Sequence, residues 1–112
     1  MDAVEKDVRL LVKKELKAAN RNFPMFHSAH EGWAVIREEM SEAETERYLL
    51  DRWIEERLWN EVKADLKIPK EDLKEMQYRA VHMAVEAIQL AAMICKLARS
   101  QRRWPEKVEQ IF

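Results

Sequence analysis

One stretch decides the fold of this chain: AVHMAVEAIQLAAMICKLA, residues 80–98. It contains no Pro or Gly, and when it is wound at 3.6 residues per turn its apolar side chains leave almost no solvated face. Its few polar residues lie within about 80° of arc, and Arg79 extends the same stripe. The polar residues within the stretch are His82, Glu86, Gln89 and Lys96. A helix that is apolar nearly all round is typically buried, often in an oligomer.

The helix that contains this stretch is predicted to span 70–102. Pro69 suits its start, and Trp104-Pro105 stops it. A further helical turn is expected over 105–111.

Two more helices are predicted upstream. Apolar residues fall on one stripe over 2–21, and Pro24 follows that segment. The second helix is expected over 29–67, because Ser28 and Glu31 have the spacing of a capping box. An unbroken helix of that length would measure about 55–60 Å, so we expect a kink or a partner chain along its distal half.

The predicted fold class is therefore all-α: an antiparallel bundle of about three long helices, completed by oligomerisation, in a single domain over 1–112. The composition agrees, with one Gly and three Pro, 37% charged and 47% hydrophobic residues. A net charge of -1 argues against a binder of nucleic-acid polymers or membrane surfaces. Cys95 is the only cysteine, and neither a signal peptide nor an unbroken apolar run of about 20 residues stands out. A cytoplasmic location is expected.

Three carboxylates are close in sequence on the second helix: Glu38, Glu39 and Glu42. Residues three and four apart are neighbours on a helix face, and like charges there destabilise an isolated helix by a few tenths of a kcal/mol per pair. A hard cation such as Mg²⁺ would remove that cost. Spacing alone favours the plainer interpretation, a solvated acidic face.

Glu86 is the only carboxylate in the apolar stretch. A buried, unpaired carboxylate is costly, so Glu86 needs a metal, a cation or a hydrogen-bond donor. Arg79, His82 and Lys96 are candidates on its own stripe. A metal ligand and an ion-paired core residue remain equally supported, and the metal requires that the second and third helices face each other.

Two segments resemble MazG-like nucleotide pyrophosphohydrolases: FHSAHEGWAVIREEMSE, residues 26–42, and AVEAIQLAAM, residues 84–93. The resemblance covers roughly 15–98. It implies an all-α protein that assembles as a homodimer or homotetramer. It also implies a hydrolase that uses Mg²⁺, or Mn²⁺, to cleave a nucleoside or deoxynucleoside triphosphate to the monophosphate and pyrophosphate.

The metal signature of this family is EExxE on one helix and ExxD on a later one. The first half corresponds to Glu38, Glu39 and Glu42, and the second to Glu86 and Gln89, so a neutral amide stands where the family has Asp. The resemblance implies that the four glutamates bind the metal and that Glu38 and Glu39 take part in catalysis.

Residues of the polar stripe are then expected to contact the substrate: Arg79, His82, Gln89 and Lys96. Arg99 could also neutralise phosphate charge, although a basic residue at a helix C-terminus needs no such role. Because of Gln89, the alternative function is a catalytically degenerate relative that binds nucleotide or acts as a helical interaction module.

Overall fold

The computed structural model describes residues 2–105, and its only regular elements over this range are helices, which confirms the all-α class. The predicted turn over 105–111 lies outside the described residues except for Pro105. In chain order the elements are α1 (Asp2–Ala19), α2 (Ala29–Arg52), a π-helical turn (Trp53–Leu58), α3 (Trp59–Lys63) and α4 (Lys70–Gln101). These form three long helical arms, as predicted. The first arm is α1, the second arm consists of α2, the π-helical turn and α3, and the third arm is α4.

Helix α2 begins as its sequence predicts. The Ser28 hydroxyl accepts a hydrogen bond from the Glu31 amide at 3.1 Å. The Glu31 carboxylate reaches back and accepts from the His27 amide at 3.3 Å. Two amides that the helix leaves unpaired are thus satisfied, which fixes where α2 starts.

The second arm is not one regular α-helix. The π-helical turn Trp53–Leu58 interrupts it in the region where the sequence predicts a kink or a partner chain. The arm then continues through α3, and Asp65, in the left-handed region at φ 55°, follows its end. Arg57 of the π-helical turn donates to the Asp72 carboxylate at 3.3 Å, which ties this arm to the first turn of α4.

The core lies at the opposite end, where α1 and α2 pack against the C-terminal half of α4. Its buried apolar residues are Leu16, Phe26, Ala92 and Met93. Both backbone hydrogen-bonding groups of Phe26 bond to side chains at or just after the end of α4. Its amide donates to Ser100 Oγ at 2.9 Å, and its carbonyl accepts from Trp104 Nε1 at 3.1 Å.

Within the described residues of one chain, helix α4 is not covered on all sides; its apolar sequence predicts burial in an oligomer, and that stays a prediction. Val81, Val85 and Ile94 are 55%, 41% and 51% exposed, because only α1 and the second arm pack against α4. The molecule is also elongated, with extents of 66 × 35 × 27 Å and a radius of gyration of 19.4 Å. A compact domain of this length would have a radius near 13 Å.

Helix α4 also meets the length and composition of a membrane-crossing helix, which inspection of unbroken apolar runs does not anticipate. A window of 18 residues within Lys70–Gln101 has a mean hydropathy of 1.5, and 17% of that window is buried. Core helices of soluble proteins that are mostly buried meet the same criteria. Helix α4 contributes Ala92 and Met93 to the core, but most of this window is not buried.

Candidate metal site

The site depends on how α2 and α4 face each other. The two helices run antiparallel: a Cβ added to Gly32 near the start of α2 would meet Leu97 near the end of α4 at 2.7 Å, and Glu46 further along α2 pairs with Arg79 earlier in α4. The contact between them therefore runs along the middle of both helices. Glu39 and Glu42 lie on this contact opposite Glu86.

The carboxylates of Glu39, Glu42 and Glu86 form a compact group. Each offers an oxygen, and these oxygens all lie within 4.8 Å of one another. Glu39 and Glu86 are half-buried, whereas Glu42 is exposed, so the group is open to solvent on one side. A group of this kind could hold a metal ion, and its all-oxygen donors match the preference of Mg²⁺ and Mn²⁺.

Several oxygens at this contact are buried without a hydrogen bond. Among the described residues, Oε2 of Glu39 and Oε2 of Glu86 have no partner, and neither has Oε2 of Glu46. For Glu46 the nearest cation is Arg79, whose Nη1 lies at 3.6 Å, within ion-pair range but too long for a hydrogen bond. Buried polar atoms are nearly always satisfied in native proteins. The unpaired oxygens of Glu39 and Glu86 therefore suit a ligand that accepts their lone pairs, and a divalent cation fits.

The raised pKa values of this metal-free group also indicate negative charge that no cation compensates. Burial raises the pKa of Glu39 above its usual 4.5, and the charges of Glu42 and Glu86 raise it further. Burial also raises the pKa of Glu86, followed by the charge of Glu42 and a hydrogen bond that the two carboxyls share. Both shifts arise because negative charge is partly buried at this group without a compensating cation, and a bound metal ion would supply that cation.

The cations nearest to the group are engaged in different ways. Arg79 donates to the Glu75 carboxylate at 3.1 Å and lies 3.6 Å from Glu46, so its charge serves these two carboxylates. His82 stacks on Tyr78, with ring centroids 4.3 Å apart. It lies close enough to lower the pKa of Glu86, but by less than the neighbouring carboxylates raise it.

The structure brings together three of the four predicted metal ligands and separates some of the other predicted residues. Glu38 is exposed and outside the group, although its charge contributes to the raised pKa of Glu39. Gln89 is half-buried on α4 one turn after Glu86. Lys96 is ten residues beyond Glu86, about 15 Å along the helix axis, and its ammonium lies over the ring of Phe26.

Two residues of this region were not among the predicted ligands. Glu46 has an unpaired buried oxygen and raises the pKa of Glu86. It follows Glu42 by four residues, so the face of α2 could have indicated it. Glu15 of α1 raises the pKa of Glu39, so it also lies near the group. No local spacing could have found Glu15, because its position depends on how α1 packs.

Comparison of the chain with protein-family models, with curated proteins and with solved structures finds no match.

Proposed function

We propose that this chain is a Mg²⁺-dependent nucleoside triphosphate pyrophosphohydrolase of the MazG-like type, which cleaves a nucleoside or deoxynucleoside triphosphate to the monophosphate and pyrophosphate. The observation that supports it best is the group of Glu39, Glu42 and Glu86, whose oxygens lie within 4.8 Å of one another. Two of these carboxylates have buried oxygens without partners. The same residues match the EExxE and later Glu of the family signature, and Mn²⁺ could replace Mg²⁺.

In this proposal, each residue has a role that follows from its position. Glu39, Glu42 and Glu86 would hold the cation from two facing helices, and the exposed side at Glu42 would admit the substrate. A divalent cation would supply charge neutralisation to the phosphates of the substrate. Glu38 is exposed beside this group, so its carboxylate could orient or deprotonate the attacking water. Arg79, which pairs with Glu75 and Glu46, and His82 lie near the group on α4 and would neutralise phosphate charge if the substrate reached them.

The test of this proposal is an assay of pyrophosphate release from a panel of nucleoside and deoxynucleoside triphosphates with Mg²⁺. We expect release with at least one nucleotide, and loss of that release in Glu39→Gln and Glu86→Gln. A purified, folded protein that releases no pyrophosphate from any nucleotide, beside an active relative assayed in parallel, contradicts the proposal.

The second candidate function is a degenerate relative that binds nucleotide without turnover. Gln89 favours it, because the neutral amide removes one of the negative charges that the family places around its metal. The variant Gln89→Asp separates the two candidates. A gain of turnover shows a site that is complete except for this ligand, whereas continued nucleotide binding without turnover supports the degenerate relative.

We further propose that the chain acts as a homodimer or homotetramer. Its support is the apolar surface that one chain leaves exposed on α4 and along the second arm, where Trp59 is 51% and Val62 50% exposed. Isolated exposed apolar residues are normal, but this surface accompanies a radius of gyration well above that of a compact domain. Sedimentation equilibrium tests the proposal, and a monomer at micromolar concentration contradicts it.

A third interpretation, a helical assembly protein without a small-molecule site, makes a separate prediction. Specific Mg²⁺ binding to the folded state raises the unfolding midpoint by mass action. An assembly protein without the site shows no such dependence on Mg²⁺. The reference is a metal-free buffer of equal ionic strength.

A further inference from the structure

A cleft between the C-terminal ends of α1 and α4 is lined by cations and by no carboxylate among the described residues. It consists of two adjoining cavities of about 450 and 260 Å³ that share Asn20 and Arg99. We call it the basic cleft. Its charged lining residues are Lys13, Lys17, Arg21, Lys96, Arg99 and Arg103.

None of these six cations has a carboxylate within 4 Å in the part of the chain that the structure describes, whereas arginines elsewhere do, such as Arg47, Arg52 and Arg79. Basic residues near a helix C-terminus can be explained by the helix macrodipole. Two such ends contribute roughly half a negative charge each. Six formal positive charges against about one negative charge leave most of the charge in the basic cleft without a counterpart.

Lys96 makes the basic cleft more than a surface patch. Its side chain is only 5% exposed, it lines the smaller cavity, and among the described residues it has neither a hydrogen-bond partner nor an ion pair. Its ammonium lies 4.7 Å from the centroid of the Phe26 ring. Burial lowers the pKa of Lys96, and only the more distant charge of Glu31 opposes this. The stem of Lys96 is buried, whereas its ammonium stays accessible, so an anion in the smaller cavity can reach this charge.

The arrangement of the cations indicates the shape of that anion. Lys13 and Lys17 lie one turn apart near the end of α1, and Arg21 follows in the turn after that helix. Lys96 and Arg99 lie near the end of α4, and Arg103 follows in the turn after it, so each helix end contributes a row of three cations. A single small anion would contact only part of these two rows, whereas a chain of phosphate groups would contact both.

The one uncharged polar side chain shared by both cavities adds a further constraint. Oδ1 of Asn20 is buried and has no hydrogen-bond partner among residues 2–105, so it suits a donor. A monoprotonated terminal phosphate carries one in its hydroxyl group, in addition to its negative charge.

We propose that the basic cleft binds a short oligophosphate, either inorganic or as the phosphate chain of a small molecule, between α1 and α4. This site is separate from the carboxylates of α2 and α4 and needs no metal. It therefore does not depend on the proposed pyrophosphohydrolase activity, and it stands if that activity is absent.

The test is calorimetric titration of the full-length protein, freed of metal by chelating resin, with inorganic tripolyphosphate. Sulfate at equal ionic strength is the control anion. We expect saturable binding of tripolyphosphate that is tighter than binding of sulfate and weakens as salt rises. No saturable binding, or equal binding of both anions, overturns the proposal.

Variants locate the site. Lys96→Met and Arg99→Gln each remove a cation of the basic cleft, and we expect each to weaken tripolyphosphate binding by about tenfold or more. Arg102→Gln is the matched control, because Arg102 lies at the same helix end but lines neither cavity. Equal losses in Arg99→Gln and Arg102→Gln would show binding to net charge rather than to the cleft, and would overturn the proposal.

Two further measurements keep these outcomes interpretable. Lys96→Met keeps an apolar chain in place of the buried stem and removes only the cation, so its unfolding midpoint should change little. If it fails to fold, the exposed Arg99→Gln carries the test alone. Glu39→Gln should bind tripolyphosphate as the unchanged protein does in the absence of metal, because the proposed site does not include the carboxylates. A loss in Glu39→Gln contradicts the separation of the two sites.

Discussion

Two regions of α4 differ in the sign of their uncompensated charge. Around Glu86, carboxylates from α2 and α4 meet with buried oxygens unpaired. Around Lys96, ten residues later, cations at the ends of α1 and α4 line a cleft that contains no carboxylate among the described residues. A net charge of -1 conceals this separation. Each region lacks the counter-ion that the other has, and at about 15 Å along the helix they are too far apart for direct ion pairs.

The comparison teaches how far a polar stripe can be interpreted from sequence. Helical periodicity places Glu86, Gln89 and Lys96 on one face of α4, and the sequence interpretation assigns them to one site. The neighbours of each residue come from other helices. Glu86 meets α2, while Lys96 meets Phe26 and the end of α1. One stripe therefore serves two chemically opposite regions, and experiments can separate them.

The largest expected effect is on metal affinity. Glu86→Gln removes the only ligand of the carboxylate group that α4 supplies, and we expect Mg²⁺ or Mn²⁺ affinity to fall by about 100-fold or more. In metal-free buffer the same change removes repulsion and should raise the free energy of unfolding by about 1 kcal/mol. A loss of metal affinity together with a gain in metal-free stability is the result expected of a cation site. Equal metal affinity, or a loss of stability without metal, argues for a simple structural role of Glu86.

The next effect concerns the packed end that supports the basic cleft. Ser100 is 1% exposed, accepts from the Phe26 amide and donates to the Lys96 carbonyl at 2.8 Å. Ser100→Ala leaves the Phe26 amide unpaired, so the free energy of unfolding should fall by about 2 kcal/mol. Chemical denaturation measures it. Metal affinity should not change, and a parallel loss of metal affinity would show that the two regions are coupled.

A smaller effect is expected from pH. The pKa values of Glu39 and Glu86 are raised in the folded protein, so the folded state binds more protons than the unfolded state above pH 4.5. The stability of the metal-free protein should therefore fall as pH rises through the ordinary and then the raised pKa. Saturating Mg²⁺ should flatten this dependence, since metal and proton compete for the same oxygens. Denaturation midpoints across pH 4–7, with Glu39→Gln as the control, test this; a rise with pH in the metal-free protein contradicts it.

The smallest effect distinguishes the geometry of the group from the sequence motif. Glu38 and Glu42 are both exposed and one turn apart, but only Glu42 belongs to the carboxylate group. Glu42→Gln should weaken metal binding clearly, whereas Glu38→Gln should change it by less than about threefold. Calorimetry with Mg²⁺ or Mn²⁺ compares them. Equal losses would show that Glu38 also binds the metal, as the motif implies.

The sequence predicts the class and the long elements because these depend on local rules. Ser28 and Glu31 fix the start of α2, and Pro69 precedes α4. Glu42 and Glu86 were also found, since helix spacing and the lone carboxylate in an apolar stretch single them out. The π-helical turn, the proximity of Glu15 and the position of Lys96 were not. These depend on packing between helices, which no spacing within one helix encodes.

The central claim is that α2 and α4 together form a divalent-cation site, and Mn²⁺ binding followed by electron paramagnetic resonance tests it most directly. The signal of free Mn²⁺ decreases as the ion is bound. We predict saturable binding by the unchanged protein, competition by Mg²⁺, and loss in Glu39→Gln and Glu86→Gln but not in Arg99→Gln. Mn²⁺ that stays free at millimolar protein, or that binds equally to all of these variants, contradicts the claim.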